Sequence, residues 1–192
     1  MKSLSLNRPH ALFMVGLPGS GKSFFATRFS KTFSAPYVDS RSLAKLAKTP
    51  QDAEKAALLM AREVAKTHQT FVYEGDTDSR TRRTELARWA KKAGYQPMFI
   101  WVQTDQRTAV DRTLKTYSMT ASEYDDLARH FSPPHETEQP VVISGKHTYA
   151  TQARSVLGRL SKTRTTTTPT TSSITPRRSA GPSNDRRSIV IR

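Results

Sequence analysis

The residues best suited to chemistry stand together near the start of the chain, at positions 16–23, "GLPGSGKS". They match G-x-x-x-x-G-K-[ST] at every fixed position. The glycines let the backbone turn so that successive N–H groups converge on phosphate oxygens. A helix opening near Gly21 would add the positive end of its dipole. Lys22 would reach the β- and γ-phosphates, and Ser23 would offer its hydroxyl to Mg²⁺. An apolar run, "ALFMV", precedes the turn and two phenylalanines follow it, the strand–loop–helix setting the motif requires. Gly16, Leu17, Pro18, Gly19, Ser20, Gly21, Lys22, Ser23 and Phe24 are therefore the candidate ATP-binding residues.

Holding a triphosphate leaves the fate of its terminal phosphate open: water, a second substrate, or nothing. A guanine-reading N-K-x-D is absent from the sequence. A motor-type ATPase would show four apolar residues followed by Asp-Glu, whereas the best candidate here, "FVYEGD", lacks that ending. The chain is also short for a motor. A small phosphotransferase is the favoured class.

Further along, "YVDSR", "VYEGDTDSRTRR", "DQRTAVDR" and "ARHFSPPHETE" follow in that order. With the phosphate loop, these segments resemble the small P-loop kinases related to polynucleotide kinase. That group is also described as AAA-domain ATP-binding kinases, with zeta-toxin-type kinases as cousins. The resemblance spans about residues 10–160. It implies ATP and Mg²⁺ as cofactors and a hydroxyl as phosphate acceptor. That acceptor could be a nucleic-acid 5′ end, a nucleoside or nucleotide, or a small metabolite.

In such kinases an acidic residue after the second strand acts as general base and a nearby arginine holds the substrate; Asp39 and Arg41 match these positions. A carboxylate at a strand's C-terminal edge can accept a hydroxyl proton, although Asp is also a common helix cap. Where the family often reads D-A-T-N followed by arginines, this chain reads Glu74, Gly75, Asp76, Thr77, then Arg80, Arg82 and Arg83. Glu74 and Asp76 form an acidic pair that could hold Mg²⁺ or orient the acceptor, and Glu74 joins Ser23 as a candidate metal residue. The change of Asn to Thr77 bears on substrate identity. The three arginines read as a solvated helix face. The resemblance further implies a helical lid bringing arginine to the transferred phosphoryl group. Arg112 holds that position and Lys115, three residues on, shares its helix face. Lysine lacks the bidentate fork of arginine, and Arg107 is a further candidate. Pro133 and Pro134 mark a rigid loop, and Ser144, Gly145 and Lys146 occupy the loop after the last strand, where the nucleobase is contacted.

These residues need a frame to position them. Apolar runs predict strands at 11–15, 36–38, 70–73, 98–102 and 141–143. Helical periodicity covers 21–34, 51–68, 79–93, 105–115, 122–130 and 148–160. Phe24, Phe25, Ala26 and Phe29 are the packing residues of the first helix, and Ala56, Ala57, Leu59, Met60 and Val64 those of the second. Gly94 ends the third. Strands alternating with helices give an α/β P-loop NTPase fold: a mainly parallel five-stranded sheet, helices on both faces and a small helical lid. Its ligands would sit at the strands' C-terminal edge.

The 192 residues suit one domain, placed at 1–160, and a tail at 161–192. The tail is rich in Thr, Ser, Pro and Arg, and reads as disordered. Its net charge of +6 leaves +9 on the rest, from a total of +15. Both parts favour anionic partners, including nonspecific nucleic-acid contact through the tail. No cysteine is present, which removes disulfides and thiolate chemistry. With no run long enough to span a membrane, a cytoplasmic protein without membrane contact is expected. Two other readings of the same residues are an RNA-associated ATP-binding module without transfer activity and a toxin-type kinase acting on a nucleotide sugar.

Overall fold

The strand that precedes the phosphate loop, β1 (His10–Val15), is buried at every position. Leu12 and Met14 enter one apolar layer, with Phe25, Phe29, Val156 and Leu160. Ala11, Phe13 and Val15 enter the other, with Ala57, Ala61, Leu86 and Ala90. A strand covered on both faces has no polar side, hence its unbroken apolar run.

The computed structural model describes residues 6–116 and 119–162. After β1 come α1 (Lys22–Phe33), β2 (Tyr37–Asp39), α2 (Ser40–Ala44), α3 (Pro50–Ala65), β3 (Phe71–Glu74), α4 (Arg80–Lys92) and β4 (Gln96–Gln103). The chain continues through α5 (Gln106–Thr116), α6 (Ala121–His130), a 3-10 turn (Glu136–Glu138), β5 (Val141–Ser144) and α7 (Tyr149–Lys162). The five strands pair in the order β2-β3-β1-β4-β5. Every pairing is parallel; Leu12, for example, lies opposite Val72 on one side and Met98 on the other. β1 lies between strands that come later in the chain, so the loop after it opens at the point where the winding reverses direction. This is the P-loop NTPase fold, with α1 and α7 on one face and α3 and α4 on the other.

Helix α3 differs from expectation in its packing face. Its buried row is Ala53, Ala57, Ala61 and Ala65, spaced by four, while Leu59 and Met60 are 59% and 47% exposed. The small side chains let the helix lie close to the sheet, and 100° per residue carries position 59 to the opposite side from Ala57. Phe24 is likewise exposed, its ring under the Arg28 guanidinium, whereas Phe25, Ala26 and Phe29 are core. The short helix α2 was not anticipated. α7 continues to Lys162, two residues past the boundary placed at 160. The rest of the expected tail lies outside the described residues. No helix among the described residues is long and apolar enough to cross a membrane.

Candidate functional site

Helices α2, α3, α4 and α6 begin with side-chain caps from Asp39, Thr49, Ser79 and Thr120. Helix α1 begins differently, on Gly21 in the left-handed region, with no side-chain cap. The first-turn amides of α1 thus keep their donors for a ligand, and the dipole makes that ligand an anion. Gly19, at φ +73°, shows why the loop is built on glycine. A Cβ there would meet the Ala109 carbonyl oxygen at 2.2 Å, because α5 lies directly on the loop. Gly145, after β5, approaches from the other side; its Cβ would fall 1.9 Å from the Ser20 carbonyl oxygen.

A cleft of about 390 Å³ opens above these segments. Gly19, Gly21, Lys22, Ser23 and Phe24 line it from the loop and α1, together with Arg41, Arg112, Thr116, Gly145 and His147. The Lys22 ammonium donates to the carbonyl oxygens of Gly16 and Leu17, the latter at 3.1 Å. Burial pushes its pKa down to about 8, against the opposing pull of Glu74.

A second charged group adjoins it. Ser23 Oγ donates to Glu74 Oε1 at 2.9 Å, Tyr37 donates to Glu74 Oε2 at 2.7 Å, and the Arg41 guanidinium bridges Ser23 and Glu74. Glu74 is 2% exposed, the last residue of β3, directly opposite Asp39 in β2. Burial raises the Asp39 carboxyl above its ordinary value, and the neighbouring Glu74 charge raises it further. Asp39 also accepts the Arg41 amide at 3.1 Å as the cap of α2, so its capping role is realised. Tyr37 and Asp39 share one face of β2 because side chains alternate along a strand.

Ser23 and Glu74 are adjacent hard oxygen donors of the kind Mg²⁺ takes, and a cation there would displace the Arg41 guanidinium that bridges them. No cluster of three or more His, Cys, Asp or Glu among the described residues could hold a metal. A cation between Ser23 and Glu74 would therefore complete its shell with water and phosphate oxygens, the arrangement Mg²⁺ favours.

Asp76 does not join this group. Its carboxylate pairs with Arg82 Nε at 2.9 Å, and it lines a separate hollow between α3 and α4, with Glu54 and Trp89. Asp78, two residues on, is the acid of that loop whose charge acts on Lys22; burial raises its carboxyl, and Lys22 opposes the rise. It went unnoticed in sequence reading, although it lies inside the quoted "EGDTDSR". Thr77 is buried and donates to the Met14 carbonyl oxygen at 2.8 Å, tying the β3 exit to β1. Of the three arginines of α4, Arg80 and Arg82 are exposed as expected, Arg82 pairing with Asp76 and Glu85, whereas Arg83 departs from the solvated face and is fully buried against Glu138. Arg112 reaches over the loop, donating to the Gly145 carbonyl at 3.3 Å and the Gly19 carbonyl at 3.5 Å. Lys115 does not line the cleft and Thr116, four residues after Arg112, does. Lys146 is engaged with Asp105 at 2.6 Å.

A triphosphate held at Lys22 would bind with a pH dependence set by that ammonium. A bound triphosphate stabilises the charged form, so affinity is expected to fall up to tenfold per pH unit above about 8. Folding has the opposite slope. Between about 8 and the ordinary 10.5 the unfolded chain holds the extra proton, so the Lys22 contribution to stability rises with pH there. Calorimetric titrations of AMP-PNP from pH 7 to pH 10 check the first, and urea midpoints over the same range the second.

No family model matches the chain, and no curated protein matches it in sequence. Solved structures match it in fold. A gluconokinase from Sinorhizobium meliloti 1021 has a TM-score of 0.62 at 16% identity, covering 82% of this chain and 95% of its own. Kti12 from Chaetomium thermophilum, in complex with ADP-AlF3, has a TM-score of 0.65 at 17% identity, covering 80% and 98%. The Mycobacterium tuberculosis APS kinase CysC, in complex with AMPPNP and APS, has a TM-score of 0.60 at 16% identity, again covering 80% and 98%. At these identities the likeness is one of fold: the chain is built as the P-loop kinases are.

Proposed function

We propose that the protein is an ATP-dependent phosphotransferase that moves the γ-phosphate of ATP·Mg²⁺ to a hydroxyl. The observation that carries this reading is the open N-terminus of α1, with Lys22 on one side and the Ser23–Glu74 pair on the other. The triphosphate would lie along residues 16–24, its oxygens taken by loop amides and Lys22. Ser23 and Glu74 would hold Mg²⁺, which when bound draws off charge from the transferred phosphoryl group. Asp39, across from Glu74, would orient the acceptor hydroxyl and take its proton; a carboxyl raised toward neutrality is the better base. Arg41 would hold the acceptor. Arg112 would neutralise charge developing in the transition state, in line with its reach over Gly19. A gluconokinase and an APS kinase among the structural neighbours support transfer over simple nucleotide binding. Their unlike acceptors leave a sugar, a nucleotide and a nucleic-acid end as classes to screen.

The test is phosphate transfer from γ-labelled ATP to a panel of these acceptors, with Asp39→Asn as the diagnostic variant. Asparagine caps a helix about as well as aspartate, so α2 should persist. Loss of the base should lower kcat by about 10²–10⁴, with the Kd for ATP nearly unchanged. Transfer to no acceptor in the panel, or an Asp39→Asn protein as active as the parent, would remove the reading.

A further inference from the structure

Beyond the phosphate cleft lies a hollow with a volume of about 970 Å³. It lies under α5 and α6, at the ends of β4 and β5, and meets the phosphate cleft only at His147 and Gln152. Its lining has three distinguishing properties. Ser20 Oγ, Thr104 Oγ1, Tyr124 OH and Gln152 Oε1 all belong to residues around it, and each is a buried atom without a hydrogen-bond partner among the described residues. Ser20 is 2% exposed, Tyr124 0% and Gln152 2%. The fifth such atom, His10 Nε2, lies elsewhere, at the start of β1. Buried polar groups are nearly always paired, so four around one hollow mark a place where a visitor completes the bonding.

The second property is charge. Asp105 and Lys146 both line the hollow, but they hold each other at 2.6 Å. A phosphate or carboxylate would have to break that pair to find a cation, whereas a neutral molecule leaves it intact. The third is shape: Trp101, Tyr124 and Phe131 supply aromatic surface beside the hydroxyl and amide groups. Flat apolar walls with a few convergent donors and acceptors suit a neutral heterocycle.

We propose that this hollow is a second ligand site, taking an uncharged nucleoside while a triphosphate occupies residues 16–24. The proposal rests on the triphosphate reading for its partner site but not for its chemistry. The volume is at the upper end of ordinary small-molecule sites, ample for a base and its ribose. Ser20 belongs to the phosphate loop and its carbonyl lies under Gly145, so an occupant here would bear on the loop from behind.

The experiment is calorimetry on the full chain with adenosine, guanosine, cytidine and uridine, each titrated into protein saturated with Mg²⁺ and AMP-PNP. AMP-PNP binding measured alone first separates failure of the triphosphate reading from failure of this one. At least one nucleoside is expected to bind. Its affinity should fall about threefold to tenfold in Tyr124→Phe and in Thr104→Val, the loss of one hydrogen bond each. Neither residue lines the phosphate cleft, so AMP-PNP affinity should stay as in the parent. Three results would overturn the proposal. One is no heat from any nucleoside, which makes the hollow a water site only. Another is displacement of the nucleoside by AMP-PNP, which makes it the base end of the triphosphate site. The third is binding that ignores both substitutions.

Discussion

Lys22→Ala is expected to weaken AMP-PNP binding by about tenfold to a hundredfold, the loss of charge-assisted hydrogen bonds to phosphate. Phosphate transfer should fall further, by about 10²–10³ or more, because the ammonium faces charge that grows in the transition state. The geometry makes the variant unusually clean. Among the described residues Lys22 donates to the loop carbonyls of Gly16 and Leu17 and forms no direct ion pair, although the charges of Glu74 and Asp78 act on it and Asp78 loses that opposing charge in the variant. The folded protein should be at least as stable as the parent at pH 7, where the parent carries the cost of a buried charge. The ammonium is held there against a burial that pushes its pKa down to about 8. Two pH effects should vanish with it: the alkaline loss of nucleotide affinity, and the rise in stability between about 8 and 10.5. Calorimetric titrations across that range read the first, and urea midpoints read the second. A Lys22→Ala protein that binds and transfers like the parent would mean that the loop does not hold the triphosphate.

Arg83→Met should produce the largest loss of stability of any single substitution considered for this protein. Arg83 is 0% exposed and spends its donors on Glu138 (2.7 and 3.1 Å), the Thr77 and Ser132 carbonyls (2.9 Å each) and the Pro133 carbonyl (3.4 Å). The five contacts use the whole guanidinium fork. Removing it strands Glu138, which is itself nearly buried, and breaking such a pair from one side costs about 3–5 kcal/mol. At about 2–4 °C per kcal/mol, Tm should drop by roughly 10 °C. Burial alone would raise the Glu138 carboxyl, but hydrogen bonds from Arg83 and the His135 amide outweigh it and hold it below the ordinary value. The parent should therefore lose this contribution as pH falls through that lowered value, and the variant should lack that acid limb. Arg83→Met/Glu138→Leu should recover much of the loss, since an apolar pair of similar volume leaves no charge stranded. A fall in Tm of only a degree or two for the single variant would show that the network does not hold the loop. Function should follow stability here, because Arg83 grips the Thr77 carbonyl and Thr77 ties the loop that carries Asp78 beside Lys22.

The glycine-built loop and the uncapped start of α1 were legible in the chain because their physics is local. Eight consecutive residues set the turn, the glycine at the head of α1 and the lysine above it, and no distant partner is needed to give them their form. The strands were legible for a similar reason, since a run buried on both faces carries its burial in its own composition. The α3 packing face was misread because Leu59 and Met60 are apolar, and apolar residues on a helix need not be inside.

The acidic residues show where locality ends. Glu74 and Asp76 are two apart in one short segment, yet one meets Ser23, 51 residues earlier, and the other meets Arg82 on α4. Glu74 is still within β3, where the sheet directs its side chain, while Asp76 follows the strand's end and takes its direction from the α3 and α4 walls. In the same way nothing local distinguishes Arg83 from Arg80 and Arg82. A guanidinium can be buried only where a carboxylate and several carbonyls converge, and all of these but the Thr77 carbonyl come from residues 49 to 55 positions away. The sequence by itself determined a glycine loop at the head of a helix on a parallel α/β sheet. Only tertiary structure decided which charges attend that loop and which hold the scaffold, because a charge takes its role from the partners that surround it in space.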